Sequence, residues 1–155
     1  MKNLHLIPSL VVGFTAVSLF AQTPVKDIYP SAADAKAEVQ AAITKATKEH
    51  KRVILDFGGN WCGDCRALNG YFHKEPNASL LNAGFVLVDV NIGRFDANLD
   101  VAKKYDVPLA KGVPALAVLD SHGALLYSQK NGEFESMRTM DPQSVTAFLT
   151  KWKEK

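Results

Sequence analysis

This chain lacks any marked excess of acidic or basic residues. Eighteen Lys and Arg stand against sixteen Asp and Glu, a net +2 with His neutral. Such a balance gives no electrostatic reason to expect nucleic acid or an anionic membrane as partner. Long apolar runs are scarce too. Leu6 to Phe20 is almost wholly apolar or small, but at about 15 residues, with Pro8 inside it, it falls short of the roughly 20 that a spanning helix needs. No cysteine follows that run, which argues against a lipoprotein anchor. There are no internal repeats and no low-complexity tracts. Histidine is sparse: His50, His73 and His122 follow the N-terminal run, none in an H-x3-H pair, so a four-ligand zinc site is short of donors. Cysteine occurs twice, at Cys62 and Cys65.

What is present is an ordinary globular balance, 47% hydrophobic and 22% charged over 155 residues, enough for one domain. The start reads differently from the rest. Met1-Lys2-Asn3-Leu4-His5 is short and basic, the apolar run follows, and Ala21-Gln22-Thr23-Pro24 turns polar. That order is a secretory signal peptide over residues 1–21, cut after Ala21, with Ser18 as the fallback. Removing it takes one Lys from the 18 basic residues and none of the 16 acids, leaving net +1. Export would place the two cysteines where disulfides persist. Residues 22–30 read as a linker closed by Tyr29-Pro30, and residues 31–155 as the domain.

Within the domain, Ser31 with Asp34 three residues on looks like a capping box. It opens an Ala-rich helix with an apolar stripe at Ala35, Val39, Ile43 and Ala46, fading near Lys48-Glu49-His50. Arg52 to Phe57 is apolar on nearly every position, the pattern of a strand covered on both faces. After the cysteines, Arg66 to about His73 continues as helix, and Ser79 to Ala83 adds another helical turn or two. Phe85 to Val90 is a second buried strand, Gly93 to Asn98 a loop, and Leu99 to Tyr105 a short helix. Val107 to Pro114 reads as a shaped loop. Ala115–Leu119 and Ala124–Ser128 form a hairpin around Ser121-His122-Gly123. Asp141 caps a last helix with Pro142 at its first position, its apolar face formed by Val145, Phe148, Leu149 and Trp152. The economical packing is a sheet with a parallel βαβ unit that ends in an antiparallel hairpin.

The chemistry concentrates at Trp61-Cys62-Gly63-Asp64-Cys65, entered from the strand Val53 to Phe57. Two thiols at a helix N-terminus meet unpaired amide N–H groups and the positive end of the helix dipole, which stabilise a thiolate. The pair reads as a dithiol redox centre. Two other readings stay open: a structural staple, worth only about 2 kcal/mol across so short a loop, and half of a zinc site. Asp56 lies in an apolar strand, where an ionised carboxylate is costly without a task or a partner.

These residues resemble the thioredoxin superfamily. The resemblance is carried by Asp56-Phe57 ahead of the cysteines, by Trp61-Cys62-Gly63-Asp64-Cys65, and by Gly112-Val113-Pro114 followed by a strand, and it spans residues 31–155. It is strongest to exported thioredoxin-like proteins and to the periplasmic thioredoxin-like domains of disulfide reductase systems. It implies an α/β, thioredoxin-like fold, with a central mixed sheet flanked by helices, and a thiol–disulfide oxidoreductase. Cys62 would be the nucleophile and Cys65 the resolving thiol, the two cycling through a Cys62–Cys65 disulfide. Asp56 would be the buried carboxylate that moves the Cys65 proton. Pro114 would follow a cis peptide bond and face the cysteines. Val113 and Pro114 would bind an extended substrate segment, with Trp61, Gly63 and Asp64 on the same surface. No metal or organic cofactor is implied. The partners would be disulfide-bearing exported proteins and a separate electron donor, membrane-bound if the compartment is a bacterial periplasm; a monomer is the default. The rival from another class is a non-catalytic peptide-binding module that keeps Cys62–Cys65 as a permanently oxidised clip.

The chain departs from the family pattern in three places. Typical thioredoxins have Gly-Pro between the cysteines, and this chain has Gly63-Asp64. A bare carboxylate there opposes thiolate formation, which favours a reductant or an isomerase-like exchanger over a strong oxidant. Asp89 stands where thioredoxins typically carry a lysine facing the buried carboxylate. If Asp56 and Asp89 approach, at least one should titrate high. Gly58-Gly59-Asn60 replaces a bulkier stretch, opening the surface beside the nucleophile.

Overall fold

A computed structural model describes residues 27–31 and 34–153. The expected signal peptide, residues 1–21, and residues 22–26 of the expected linker lie outside the described residues.

The strand β1 (Arg52–Gly58) sits inside the sheet because its side chains are buried from Val53 through Gly58. It pairs in parallel with β2 (Phe85–Asn91). On its other side it pairs antiparallel with β3 (Ala115–Leu119), which in turn pairs antiparallel with β4 (Leu125–Ser128). The order is β2-β1-β3-β4, a mixed four-stranded sheet. The parallel crossover from β1 to β2 is made by α2 (Gly63–Phe72) and α3 (Asn77–Gly84), as a parallel pair requires.

Alternation along β1 sends neighbouring side chains to opposite faces. Val53, Leu55 and Phe57 join the core under α1 (Ala35–Glu49), with Ala35, Val39, Ala42 and Ala46. Val101 and Ala102 of α4 (Leu99–Lys104) close the same core. Ile54 faces the other way, against Leu68 and Phe72 of α2, Leu81 of α3, and Val145 and Leu149 of α5 (Gln143–Trp152). Each such aliphatic or aromatic side chain contributes about 1.5–3 kcal/mol by leaving water.

Several expectations shift by a turn or less. Asp34, not Ser31, caps α1, accepting the Lys36 and Ala37 amides at 3.0 and 3.1 Å. In the apolar stripe Ala42 is buried, and Ile43 packs at its margin. The helix at the cysteines runs Gly63–Phe72 with Cys62 at its N-cap, so the two thiols stand at a helix N-terminus as expected. The loop before β3 contains a single 3-10 turn, Leu109–Lys111. The last helix begins at Gln143, one residue later than expected, with Pro142 at the N-cap; Asp141 stands just before it, its carboxylate accepting the Gln143 amide at 2.9 Å. The largest correction is at the linker. Tyr29 is fully buried, so the folded unit begins before residue 31.

Candidate functional site

The site grows from the end of β1. The chain turns at Gly59, whose carbonyl accepts the Cys62 amide at 2.9 Å. Arg66 braces the turn with Nε and Nη2 bonds to the Asn60 carbonyl at 2.9 and 2.5 Å. Cys62 then takes the N-cap position of α2 in an extended conformation, and its sulfur accepts the Cys65 amide at 3.0 Å. An otherwise orphaned helix donor therefore points at the outer sulfur, where it stabilises negative charge.

Cys62 and Cys65 are joined as a disulfide with their Cα atoms 5.3 Å apart. Cys65 is sealed and Cys62 is 5% exposed. The two sulfurs are bonded to each other, and among the described residues no three potential ligands group around a metal position.

Across from the pair lies the expected loop. The Val113–Pro114 peptide is cis, and the Val113 carbonyl oxygen is 3.6 Å from the Cys62 sulfur. Gln129, which the sequence reading passed over, braces this loop from inside. Its side-chain oxygen accepts the Leu116 amide and its side-chain nitrogen donates to the Pro114 carbonyl, both at 3.2 Å. The amide is 1% exposed, so the two bonds satisfy backbone groups that water does not reach.

Trp61 forms the rim. It is 42% exposed, and its indole N–H donates to the Gly93 carbonyl at 2.6 Å. The Phe95 ring lies 5.7 Å away and the Arg94 guanidinium 5.5 Å from the indole centre. Trp61 is therefore fixed by the loop after β2.

Asp64 is not the bare carboxylate expected. It accepts the Arg138 amide at 2.9 Å and the Arg138 guanidinium at 3.2 and 3.0 Å. This arginine holds the Asp64 carboxyl below the usual carboxylate range. The guanidinium also covers Gly63, where an added Cβ would lie 3.3 Å from its central carbon. Asp64 thus carries its own counter-charge, which weakens the argument that it disfavours a thiolate at Cys62.

Behind the pair lies Asp56, fully buried. One carboxylate oxygen accepts the Tyr29 hydroxyl at 2.8 Å. In the parallel register Asp56 stands beside Asp89, so the two acids share a face of the sheet. Burial first, and the Asp89 charge second, push Asp56 well above the usual carboxylate range, while the Tyr29 bond pulls the other way. The hydroxyl of Tyr29 is itself held protonated by burial and by the neighbouring Asp56. Gly58 gives this packing its room. A Cβ there would lie 2.6 Å from the Tyr29 hydroxyl oxygen and 2.9 Å from the Cys65 sulfur.

Every residue expected at the site therefore lies on this surface or directly behind it: Trp61, Cys62, Gly63, Asp64 and Cys65 on one wall, Val113 and Pro114 on the other, Asp56 beneath. Tyr29, Gln129 and Arg138 contribute from far along the chain with no local pattern to mark them, and Asn60, expected only as part of an open Gly58-Gly59-Asn60 stretch, holds the Ile28 and Tyr29 backbone.

A family model described as thioredoxin-like matches residues 34–121. Among curated proteins, the chain is similar to an H-type thioredoxin of Oryza sativa subsp. indica, 40% identical over 72 residues, which are 46% of this chain and 54% of that protein. It is also similar to the thiol:disulfide interchange protein DsbD of Pseudomonas fluorescens, 29% identical over 75% of this chain and 18% of that protein. The chain spans about half the length of the H-type thioredoxins it matches, 51% and 54%. Among solved structures, the crystal structure of a disulphide isomerase from Xylella fastidiosa has 35% identity and a TM-score of 0.78, covering 82% of this chain and 97% of that one. The oxidised thioredoxin from Plasmodium falciparum shares the fold at 17% identity and a TM-score of 0.52, over 76% of this chain and 92% of that one.

Proposed function

The chain belongs to the thioredoxin superfamily, and from that premise we propose that it is an exported thiol–disulfide oxidoreductase acting on protein disulfides. The observation that carries the reading is the bonded Cys62–Cys65 pair at the start of α2, facing the cis Val113–Pro114 peptide at 3.6 Å.

In the reducing direction, the Cys62 thiolate attacks one sulfur of a substrate disulfide. A Cys62–substrate bond forms, the substrate S–S bond breaks, and the first substrate thiolate leaves. Cys65 then gives its proton to Asp56 and attacks the Cys62 sulfur. The mixed disulfide breaks, the second substrate thiolate leaves and takes up a proton, and Cys62–Cys65 is oxidised. The raised affinity of Asp56 for a proton suits it to accept one from a thiol. Val113, Pro114 and Trp61 would bind the substrate backbone beside Cys62, with Gly63 and Asp64 on the same surface.

Similarity to a disulphide isomerase over nearly all of that chain supports two-way exchange, toward the reductase or isomerase side rather than a strong oxidant. A separate donor protein would return electrons to the pair. Export to a periplasm or beyond the cell is supported by the basic, apolar and small-residue order of residues 1–21.

The deciding experiment equilibrates the protein in glutathione and dithiothreitol buffers and reads its reduction potential. A value between about −270 and −180 mV, the span from thioredoxin to protein disulfide isomerase, supports the proposal. A value near about −120 mV would make it an oxidant. A pair that does not exchange would sink the oxidoreductase reading and leave a peptide-binding module.

A further inference from the structure

Tyr29 lies in a segment that reads as linker, yet it is fully buried and held by hydrogen bonds at its backbone and its hydroxyl. Asn60 accepts the Ile28 and Tyr29 amides at 3.0 and 3.1 Å and donates to the Tyr29 carbonyl at 2.8 Å. Asn91, at the end of β2, donates to the same carbonyl at 3.0 Å. Two strand ends therefore hold one residue, and that residue places its hydroxyl on Asp56 at 2.8 Å. Asn60 is also in the turn that delivers Trp61 and Cys62, so the clamp and the redox motif share a backbone.

The surroundings of Asp56 make this bond matter. Asp89 of β2 is its register neighbour in parallel pairing, and Leu116 of β3 faces it in antiparallel pairing. Glu38 and Lys45 of α1 line the groove that Asp89 shares with Ile28 and Pro30. From α2, the Cys65 sulfur lies 2.9 Å from where a Cβ on Gly58 would stand, a position that is also 2.6 Å from the Tyr29 hydroxyl oxygen. The Tyr29 hydroxyl is the one side-chain group seen donating to the Asp56 carboxylate among the described residues.

We propose that Tyr29 is a positioning residue for the resolving step, its hydroxyl bonded to Asp56 and orienting that carboxylate to take the Cys65 proton. The inference rests on the dithiol-exchange reading above. Tyr29 keeps its own proton throughout. The proton that moves is that of Cys65, which goes to Asp56 as the Cys65 sulfur bonds to Cys62 and the substrate thiolate leaves.

The test uses the reduced protein and the aromatic disulfide 5,5′-dithiobis(2-nitrobenzoate). Attack by Cys62 releases one coloured thiolate, and resolution by Cys65 releases a second. In Tyr29→Phe the first release keeps its rate. The second slows about tenfold at neutral pH, the factor that a hydrogen bond to an ionised group carries, and its pH dependence moves upward. In an Asp56→Asn background Tyr29→Phe has no further effect on the second release, which separates this role from simple packing. If Tyr29→Phe does not fold, Asn60→Ala provides the measurement: it cuts three of the clamping bonds, keeps the phenol, and slows the second release in the same way. An unchanged second release and pH profile in whichever variant folds overturns the role of Tyr29. Wild-type protein that releases only one thiolate would instead overturn dithiol exchange itself.

Discussion

Two glycines flanking the cysteines should respond to alanine with opposite sign. At Gly58 the added methyl would lie 2.6 Å from both the ring carbon and the oxygen of the Tyr29 phenol and 2.9 Å from the Cys65 sulfur. Neither neighbour is a loose surface tip, since both Tyr29 and Cys65 are fully buried. Backbone conformation is not the obstacle, because Gly58 is not among the glycines of positive φ. The cost is steric, about 1–3 kcal/mol for overpacking a tight interior. At Gly70, inside α2, an added Cβ meets nothing within 4 Å, and alanine gains about 0.5–1 kcal/mol from helix propensity. At roughly 2–4 °C per kcal/mol for a chain of this size, Gly58→Ala should lower the melting temperature by about 5 °C and Gly70→Ala raise it by about 2 °C. The assay is thermal and urea unfolding of the oxidised protein, with the second thiolate release read alongside. A Gly58→Ala protein at least as stable as wild type, resolving at the wild-type rate, would falsify the close meeting of Tyr29 and Cys65 over this residue.

Three further outcomes are expected. Gln129→Leu leaves the Leu116 amide and the Pro114 carbonyl buried without their side-chain partner, at a cost of about 2–4 kcal/mol, measurable as a lower urea midpoint; an unshifted midpoint would mean water replaces the amide. Arg138→Ala removes the counter-charge from Asp64, so the Cys62 thiolate should form at higher pH and the couple become more reducing; an unchanged thiolate titration by ultraviolet absorbance would show that the Asp64 charge does not reach the sulfur. Asp56 titrates higher in the folded protein than in the unfolded chain, so the native state binds the extra proton between the two values. Its contribution is therefore present in acid and lost as pH rises above about 4, the unfolded value, through the raised folded value. Against Asp56→Asn, wild-type stability should decline over that window, and parallel pH–stability curves would contradict the burial argument.

The elements that were legible share a physical reason. β1 is an apolar run bounded by polar residues and α5 has its apolar stripe, so local pattern sufficed, whereas β2, read as buried, is an edge strand with most of its positions half-buried. The cysteines and Asp56 were legible because each is chemically unusual where it stands, and Val113-Pro114 through the family resemblance alone. Tyr29 was not, since one aromatic residue in a short segment closed by Pro30 has no periodicity to mark it as core. Arg138 and Asp64 lie 74 residues apart, and an exposed arginine in an irregular segment carries no sign of its partner.

The same limit explains why Asp64 misled and Asp89 did not. An argument from a carboxylate's position in sequence assumes that its charge acts alone. For Asp64 that assumption fails, because Arg138 supplies the opposite charge from the far end of the domain. For Asp89 the relevant neighbour is in the sheet register, which the parallel pairing of β1 with β2 imposes. Two acids on adjacent strands cannot both ionise cheaply, so placing Asp89 beside Asp56 raises the tendency of Asp56 to hold a proton. A neutral donor that favours the ionised form counters it, and Tyr29 is such a donor. The site thus sets its proton acceptor between an acid and a phenol. It follows that Asp89→Lys and Tyr29→Phe should act in opposite directions on the pH dependence of the second thiolate release: downward for the lysine, upward for the phenylalanine. Shifts of the same sign would mean that the two side chains do not act on Asp56 through its charge.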